Sequence, residues 1–290
     1  MGTADLLVGG LTIRSQAVET ADDVDESFIS GAGDGLLGLA WGAINTVMPQ
    51  RVLTPVENMI QQDEIKPGQE LFTAKLGSWR DANEPDHGES FYTFGFIDAD
   101  TLSAADVKEQ NIWYAPLVHN NSDEMDGFWR FTSSSIVVNG KPFNRPDGNT
   151  AIADTGTTMA LLDDAALENI YGTIPGALIS QSQQNGGMWV YPASTTLAQL
   201  PVVSIDVGGK QFTVQKEDIG YVGADEDGEQ YILGSFQSRG PDNDFDILGD
   251  AFLKSIYAIF DQGFVQRNGS NGRFGAVQRT ELQQNIDVPQ

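Results

Sequence analysis

The sequence predicts a mostly β protein, and three observations carry that expectation. Glycine and proline account for 32 and 12 of the 290 residues, as a chain with many tight turns requires. Hydrophobic residues fall in short runs bounded by turn residues rather than in long stretches of helical spacing. A hydrophobic-hydrophobic-glycine element occurs twice, as Asp34-Gly35-Leu36-Leu37-Gly38-Leu39-Ala40 and as Ile247-Leu248-Gly249-Asp250-Ala251-Phe252-Leu253, so one structural unit is expected once in each half.

Taken in order, Leu6 to Ile13 reads as two short strands joined at Gly9-Gly10, and Gln16 to Thr20 alternates like a half-buried strand. Such a hairpin leaves a free edge unless a preceding segment or another chain covers it. Thr54-Pro55-Val56-Glu57 is a capping box with proline at the first helical position, and Val56, Met59 and Ile60 give the helix one apolar face. Residues 78–90 and 223–229 are acidic and read as surface loops, and the polar run 120–126 as a junction. Residues 1–111 and 112–290 are expected to form the two lobes. Asp163 or Asp164 caps a second short helix through Leu167, Ile170 and Tyr171.

Composition excludes several chemistries. There are 41 acidic residues against 16 basic ones, a formal charge of -25 and a sequence pI near 4.1. Such a surface repels phosphate backbones, so nucleic acid is not an expected partner. It suits acid, where carboxylates are protonated and self-repulsion falls. With no cysteine and only His87 and His119, thiolate chemistry and a metal centre are not expected. No run approaches the roughly 18 apolar residues of a membrane span, and Met1-Gly2-Thr3-Ala4-Asp5 lacks the order of a signal peptide. Asn120-Asn121-Ser122 and Asn268-Gly269-Ser270 fit glycosylation acceptors, a pattern that also recurs by chance.

The stretch that carries chemistry is Ile152-Ala153-Asp154-Thr155-Gly156-Thr157-Thr158, a hydrophobic strand running into an Asp-Thr-Gly turn with three threonines. Two carboxylates a hydrogen bond apart cannot both ionise cheaply, so they share a proton: one holds a water as base while the other polarises a scissile carbonyl. Glycine after Asp-Thr lets two such turns approach, and the hydroxyls can hold the carboxylate and the opposing turn. An aspartyl-phosphate enzyme needs a second acid two places on or a neighbouring lysine, and Gly156 and Thr155 stand there instead.

With these motifs in order, together with Phe94 to Asp98, Gly127-Phe128-Trp129 and Gly272-Arg273-Phe274-Gly275, the chain resembles the pepsin-like aspartic endopeptidases, and their fungal acid-protease branch most closely. The resemblance implies a mostly β, bilobal fold whose cleft binds an extended peptide or protein substrate, with no cofactor and no metal. It implies a truncated N-terminal lobe and a complete C-terminal lobe, and secretion or vacuolar residence. By resemblance Asp154 is the catalytic carboxylate, Thr155 an inter-lobe hydroxyl and Thr157 the residue that orients Asp154. Ile152 and Ile247 either line the apolar cleft or belong to the core. Tyr191-Pro192-Ala193 and Tyr231-Ile232-Leu233-Gly234 occupy regions where many relatives carry a disulfide, with apolar residues expected to substitute for it.

The motif occurs once. Projecting the 95-residue spacing from Asp154 to Gly249 back from Gly38 puts a symmetric partner more than fifty residues before Met1, and the flap hairpin with its tyrosine is expected before Met1 too. Three readings follow: a fragment or truncated product of an acid endopeptidase, inactive alone because the proton-sharing partner is absent unless a complementing N-terminal segment supplies it, a homodimer joined at two Asp154 turns, or a catalytically inactive peptide-binding or inhibitor-decoy protein.

Overall fold

A computed structural model describes residues 1–24, 26, 28, 33–77, 89–118, 127–226, 228–263 and 271–280. These residues form five sheets with short helices packed against them. The expected first hairpin is present: strands Gly2–Val8 and Leu11–Val18 pair antiparallel around Gly9-Gly10, whose φ values of 57° and 84° select glycine at both turn positions. The pair is a two-stranded sheet among the described residues. Its inner side rests on the helix Pro55–Gln61, where Asn58 Nδ2 donates to Gln16 Oε1 at 2.8 Å and Ile13 is fully buried.

That helix starts where the capping box places it. The Glu57 amide donates to Thr54 Oγ1 at 3.3 Å and the Thr54 amide to Glu57 Oε2 at 2.8 Å, so two donors without helical partners are satisfied reciprocally. Val56 and Met59 are buried and Ile60 is half-buried. The second predicted helix is Asp164–Tyr171, capped by Asp163, with Leu167, Ile170 and Tyr171 buried.

A five-stranded antiparallel sheet has the order Phe91–Phe94, Leu71–Lys75, Ile256–Asp261, Arg273–Gln278, Trp113–Pro116. Two late strands are therefore inserted among three early ones. Phe72 stacks on Phe260 with centroids 4.5 Å apart, and Trp129 meets them edge-on at 5.6 and 5.2 Å. Trp129 Nε1 donates to the Leu39 carbonyl at 3.0 Å, which fastens residues 33–40 above this aromatic floor.

The central sheet has the order Phe236–Ser238, Ala160–Leu162, Phe245–Leu248, Thr150–Ala153, Arg130–Thr132. Thr150–Ala153 runs parallel to Phe245–Leu248, with Ile152 opposite Ile247 and Ala153 opposite Leu248. Parallel strands are covered on both faces, and Thr150–Ala153 is buried at every residue.

The repeated element does not adopt one conformation twice. Phe245–Leu248 is a strand followed by the helix Asp250–Leu253, and Leu248 is fully buried between Ala153 and Ala160. Residues 35–39 carry no regular structure, and Leu36 is 85% exposed. Leu248 has a strand on each side, whereas no strand pairs with Leu36 among the described residues.

The acidic segment 223–229 is also not a loop. Strands Gly220–Glu226 and Glu229–Gly234 form a hairpin whose turn is closed by the Gly228 amide on Asp225 Oδ1 at 3.0 Å, with Gly228 at φ 87°. Asp225 and Glu229 are exposed while Glu226 is half-buried and accepts from Ser180, so the charges mask the alternation of the strands. Trp189–Pro192 pairs with Glu229–Gly234 in turn, placing Tyr191 opposite Ile232 and Val190 opposite Leu233. The two segments expected to stand in for a disulfide are thus neighbours, with Val190, Tyr191 and Leu233 buried and Ala193 and Ile232 half-buried. Asn120, Asn268, the junction 120–126 and most of the loop 78–90 lie outside the described residues.

Candidate active site

Asp154 stands directly after the buried strand Thr150–Ala153, and its amide donates to the Leu248 carbonyl at 3.2 Å, extending the parallel ladder by one residue. The chain then turns. The Gly156 amide donates to Asp154 Oδ1 at 2.9 Å and Thr157 Oγ1 donates to Oδ2 at 2.6 Å. Each carboxylate oxygen thus takes one charge-assisted bond, which fixes the plane of the group and leaves further lone pairs for a ligand. A Cβ at position 156 would sit 3.2 Å from Oδ1, so glycine keeps the carboxylate uncrowded.

The second copy of the repeat clasps this turn from below. The Asp250 amide donates to the Thr157 carbonyl at 2.8 Å and the Ala251 amide to the Thr158 carbonyl at 3.0 Å, so amides of the helix's first turn are satisfied by the Asp154 turn. A Cβ on Gly249 would lie 2.1 Å from the Thr157 carbonyl oxygen and 2.3 Å from that of Met159, which accounts for glycine there.

Asp154, Thr155 and Gly156 open onto a cleft of about 460 Å³ that is otherwise mostly apolar. Phe72, Phe94, Trp129 and Phe260 line it with Leu36, Leu37 and Leu39, and Val8 and Ala153 close it. A second hollow of about 440 Å³ shares Leu36, Leu37 and Gly38 and runs toward Val18 and Thr54. Ile152 and Ile247 line neither. Strand alternation turns Ala153 toward the cleft and Ile152 away from it, and Ile152 is 5% exposed.

Two further side chains stand beside Asp154. Asp250 opens the short helix of the second glycine element. Burial pushes its carboxyl up to about 6 from 3.8, Lys254 opposes the shift, and the Asp154 carboxylate adds to it. Tyr92, on strand Phe91–Phe94, lines the same cleft as Asp154 and Thr155. Its phenol is pushed up by burial first; Thr155 counteracts this, and Asp250 and Asp154 reinforce it. Alternation in Phe91-Tyr92-Thr93-Phe94, with Thr93 buried, is the signal that places Tyr92 on the opposite side of the strand. Among the described residues no group of His, Cys, Asp and Glu could hold a metal ion.

A sequence profile described as eukaryotic aspartyl protease matches residues 1–268. The chain belongs to the eukaryotic aspartyl protease family. Among members of that family it is 36% identical over 256 residues to aspergillopepsin-1 of Aspergillus fumigatus, an alignment covering 88% of this chain and 56% of the relative. It is 35% identical over 260 residues to penicillopepsin-1 of Penicillium janthinellum, covering 89% of this chain and 70% of the relative. The chain thus spans little more than half the length of aspergillopepsin-1. The crystal structure of an aspartic proteinase from Irpex lacteus superposes with a TM-score of 0.69 at 18% identity, covering 98% of this chain and 78% of that one, and so shares the aspartyl protease fold. The mostly β, pepsin-like architecture read from the sequence is therefore the observed one.

Proposed function

We propose that the chain is the Asp154-bearing part of an aspartic endopeptidase that hydrolyses peptide bonds in acid. The observation that carries this reading is the Asp154 carboxylate, held on each oxygen by one donor and open to an apolar cleft. In that geometry Asp154 accepts a proton from a water as the water oxygen attacks the scissile carbonyl carbon. A protonated partner acid gives its proton to the carbonyl oxygen, and collapse of the tetrahedral species returns a proton to the leaving nitrogen. The aromatic floor excludes water and receives bulky apolar side chains of an extended peptide or protein substrate.

The partner acid is supplied by a complementing segment or by the Asp154 turn of a second copy. Leu7, Leu36 and Leu37 are exposed beside the free edge of the first hairpin, which supports a polypeptide partner covering that side. Secretion, glycosylation at Asn120 and Asn268, and lobes divided near residues 111 and 112 belong to the same reading. No helix among the described residues is long and apolar enough to cross a membrane. A second reading, a peptide binder without catalysis, is favoured by one observation: among the described residues Asp154 is the sole carboxylate lining the cleft.

The test is to incubate the purified chain with denatured protein at pH ~4, the acid range of a shared-proton pair, beside Asp154→Asn, and to size both by chromatography. Cleavage lost in Asp154→Asn is expected for the peptidase, and cleavage confined to a dimer fraction assigns the partner acid to a second copy. A monomer that binds a statine-containing peptide and does not cleave even when a segment bearing a second Asp-Thr-Gly turn is added supports the binder. Undiminished cleavage by Asp154→Asn overturns the assignment.

A further inference from the structure

We propose that residues 34–40 are the docking site for a separate polypeptide segment, an apolar strand that runs into an Asp-Thr-Gly or Asp-Ser-Gly turn and pairs parallel with Leu36 and Leu37. The proposal rests on the peptidase reading and deepens it, since that turn brings the partner acid to the cleft.

The second copy of the glycine element supplies the template. Ile247 and Leu248 pair with Ile152 and Ala153, the Leu248 carbonyl accepts the Asp154 amide, and the amides of Asp250 and Ala251 donate to the Thr157 and Thr158 carbonyls. In the first copy each counterpart is free among the described residues. Leu36 and Leu37 are exposed where Leu248 is fully buried, and the Leu39 and Ala40 amides make no hydrogen bond. Gly38 is the sharper observation. A Cβ there would meet nothing within 4 Å, and its φ is not positive, whereas a Cβ on Gly249 would strike two carbonyl oxygens of the Asp154 turn. Nothing in this chain requires glycine at 38; the carbonyls of a docked turn do. The hollow toward Val18 and Thr54 shares Leu36, Leu37 and Gly38 with the Asp154 cleft, so a strand lying in it delivers its turn to that cleft. A second copy cannot lend the strand. Its own Thr150–Ala153 is buried and paired on both sides, by Phe245–Leu248 and Arg130–Thr132, and its Thr157 and Thr158 carbonyls are already taken.

The probe is a synthetic peptide with the sequence of residues 150–162, the strand and turn that the second copy holds. It is added to the isotope-labelled chain to ~1 mM, where even a weak complex is populated, and amide shifts and exchange are followed by NMR. The Leu39 and Ala40 amides are expected to shift and to gain protection, while Ile179, on another sheet, stays unmoved. A scrambled peptide is expected to change neither. Gly38→Ala separates docking from adhesion to an apolar patch. With open space around the added carbon it is expected to unfold at the parental temperature, yet to bind the peptide roughly tenfold or more weakly, as overpacking against backbone carbonyls demands. Unmoved Leu39 and Ala40 amides, equal binding of the scrambled peptide, or parental affinity in Gly38→Ala overturns the proposal. If the peptide docks while Asp154→Asn cleaves denatured protein as well as the parent, docking stands and the peptidase reading falls. Cleavage that requires Asp154 in a chain the peptide does not touch has the reverse meaning.

Discussion

Thr157 touches Asp154 and Asp250 through different atoms: its hydroxyl donates to Asp154 Oδ2 at 2.6 Å, and its carbonyl accepts the Asp250 amide at 2.8 Å. One residue therefore ties the proposed catalytic carboxylate to the helix that follows Gly249. Replacing Thr157 by valine keeps the shape and removes only the donor. Affinity for a statine-containing peptide is expected to fall roughly tenfold or more, as for a bond to a charged group, with Thr157→Ser retaining most of it. Calorimetric titration of the three proteins decides, and an unweakened Thr157→Val would remove this bond from the account of the site.

Asp250 gives a pH dependence whose sign is fixed. Its carboxyl is raised to about 6 from 3.8, mainly by burial. Between those values the native state holds more proton than the unfolded one, so this group's effect on stability worsens as pH rises from about 4 to about 6. Asp250→Asn is expected to stabilise the protein above that window and to change little below it. Denaturant midpoints of parent and variant across the range test this, and a gain confined to low pH would contradict it.

Asp246 is expected to be among the costliest single positions. Its side chain is fully buried and accepts from Arg145 at 2.6 Å, Arg239 at 2.9 Å and Asn149 at 2.9 Å. Arg145 reaches on to Asp163, which also caps the helix Asp164–Tyr171. Asp246→Asn strips the countercharge from two guanidinium groups, one of them almost wholly buried, and removing one partner of a buried pair costs about 3–5 kcal/mol. Urea unfolding at neutral pH measures it; a loss below about 1 kcal/mol, the worth of a surface pair, would contradict it.

Gly249→Ala tests the clasp under the Asp154 turn. The added carbon meets two backbone carbonyl oxygens, those of Thr157 and Met159, rather than a side chain that can swing away. Overpacking of this kind costs about 1–3 kcal/mol or more, and relief requires the turn itself to move. The variant is expected to lose both stability and peptide affinity, whereas Gly140→Ala, which has open space around it but a φ of 77°, is expected to lose stability alone. Thermal melts and peptide titration on both proteins separate the two effects.

What the sequence reveals follows the range of the interactions. The helices beginning at Pro55 and Asp164 are legible because a cap is settled within four residues, as the Thr54–Glu57 and Asp163–Ala166 bonds show. The Asp154 turn is legible because its geometry is built from its own Gly156 and Thr157. The cleft wall is not, because Phe72 and Phe260 become neighbours only through sheet pairing, and nothing local marks either as a lining residue. Tyr92 is hidden for the same reason, since it meets Asp154 and Thr155 only across the cleft. The two copies of the glycine repeat look alike as strings and differ as structures, because strands on both sides of Leu248 decide its conformation.

The insertion of Ile256–Asp261 between Leu71–Lys75 and Arg273–Gln278 has a consequence for how the chain comes off the ribosome. Thr73 accepts the Tyr257 hydroxyl at 2.9 Å across 184 residues. The Phe72 face therefore emerges during synthesis long before Phe260 exists to cover it. Closure of such distant pairs is slow, and an uncovered apolar strand is a site for chaperones or for aggregation meanwhile. Nascent chains halted before residue 256 are thus committed to waiting: Leu71–Lys75 has Phe91–Phe94 on one side, but its other edge is covered only once residues 256–261 are made.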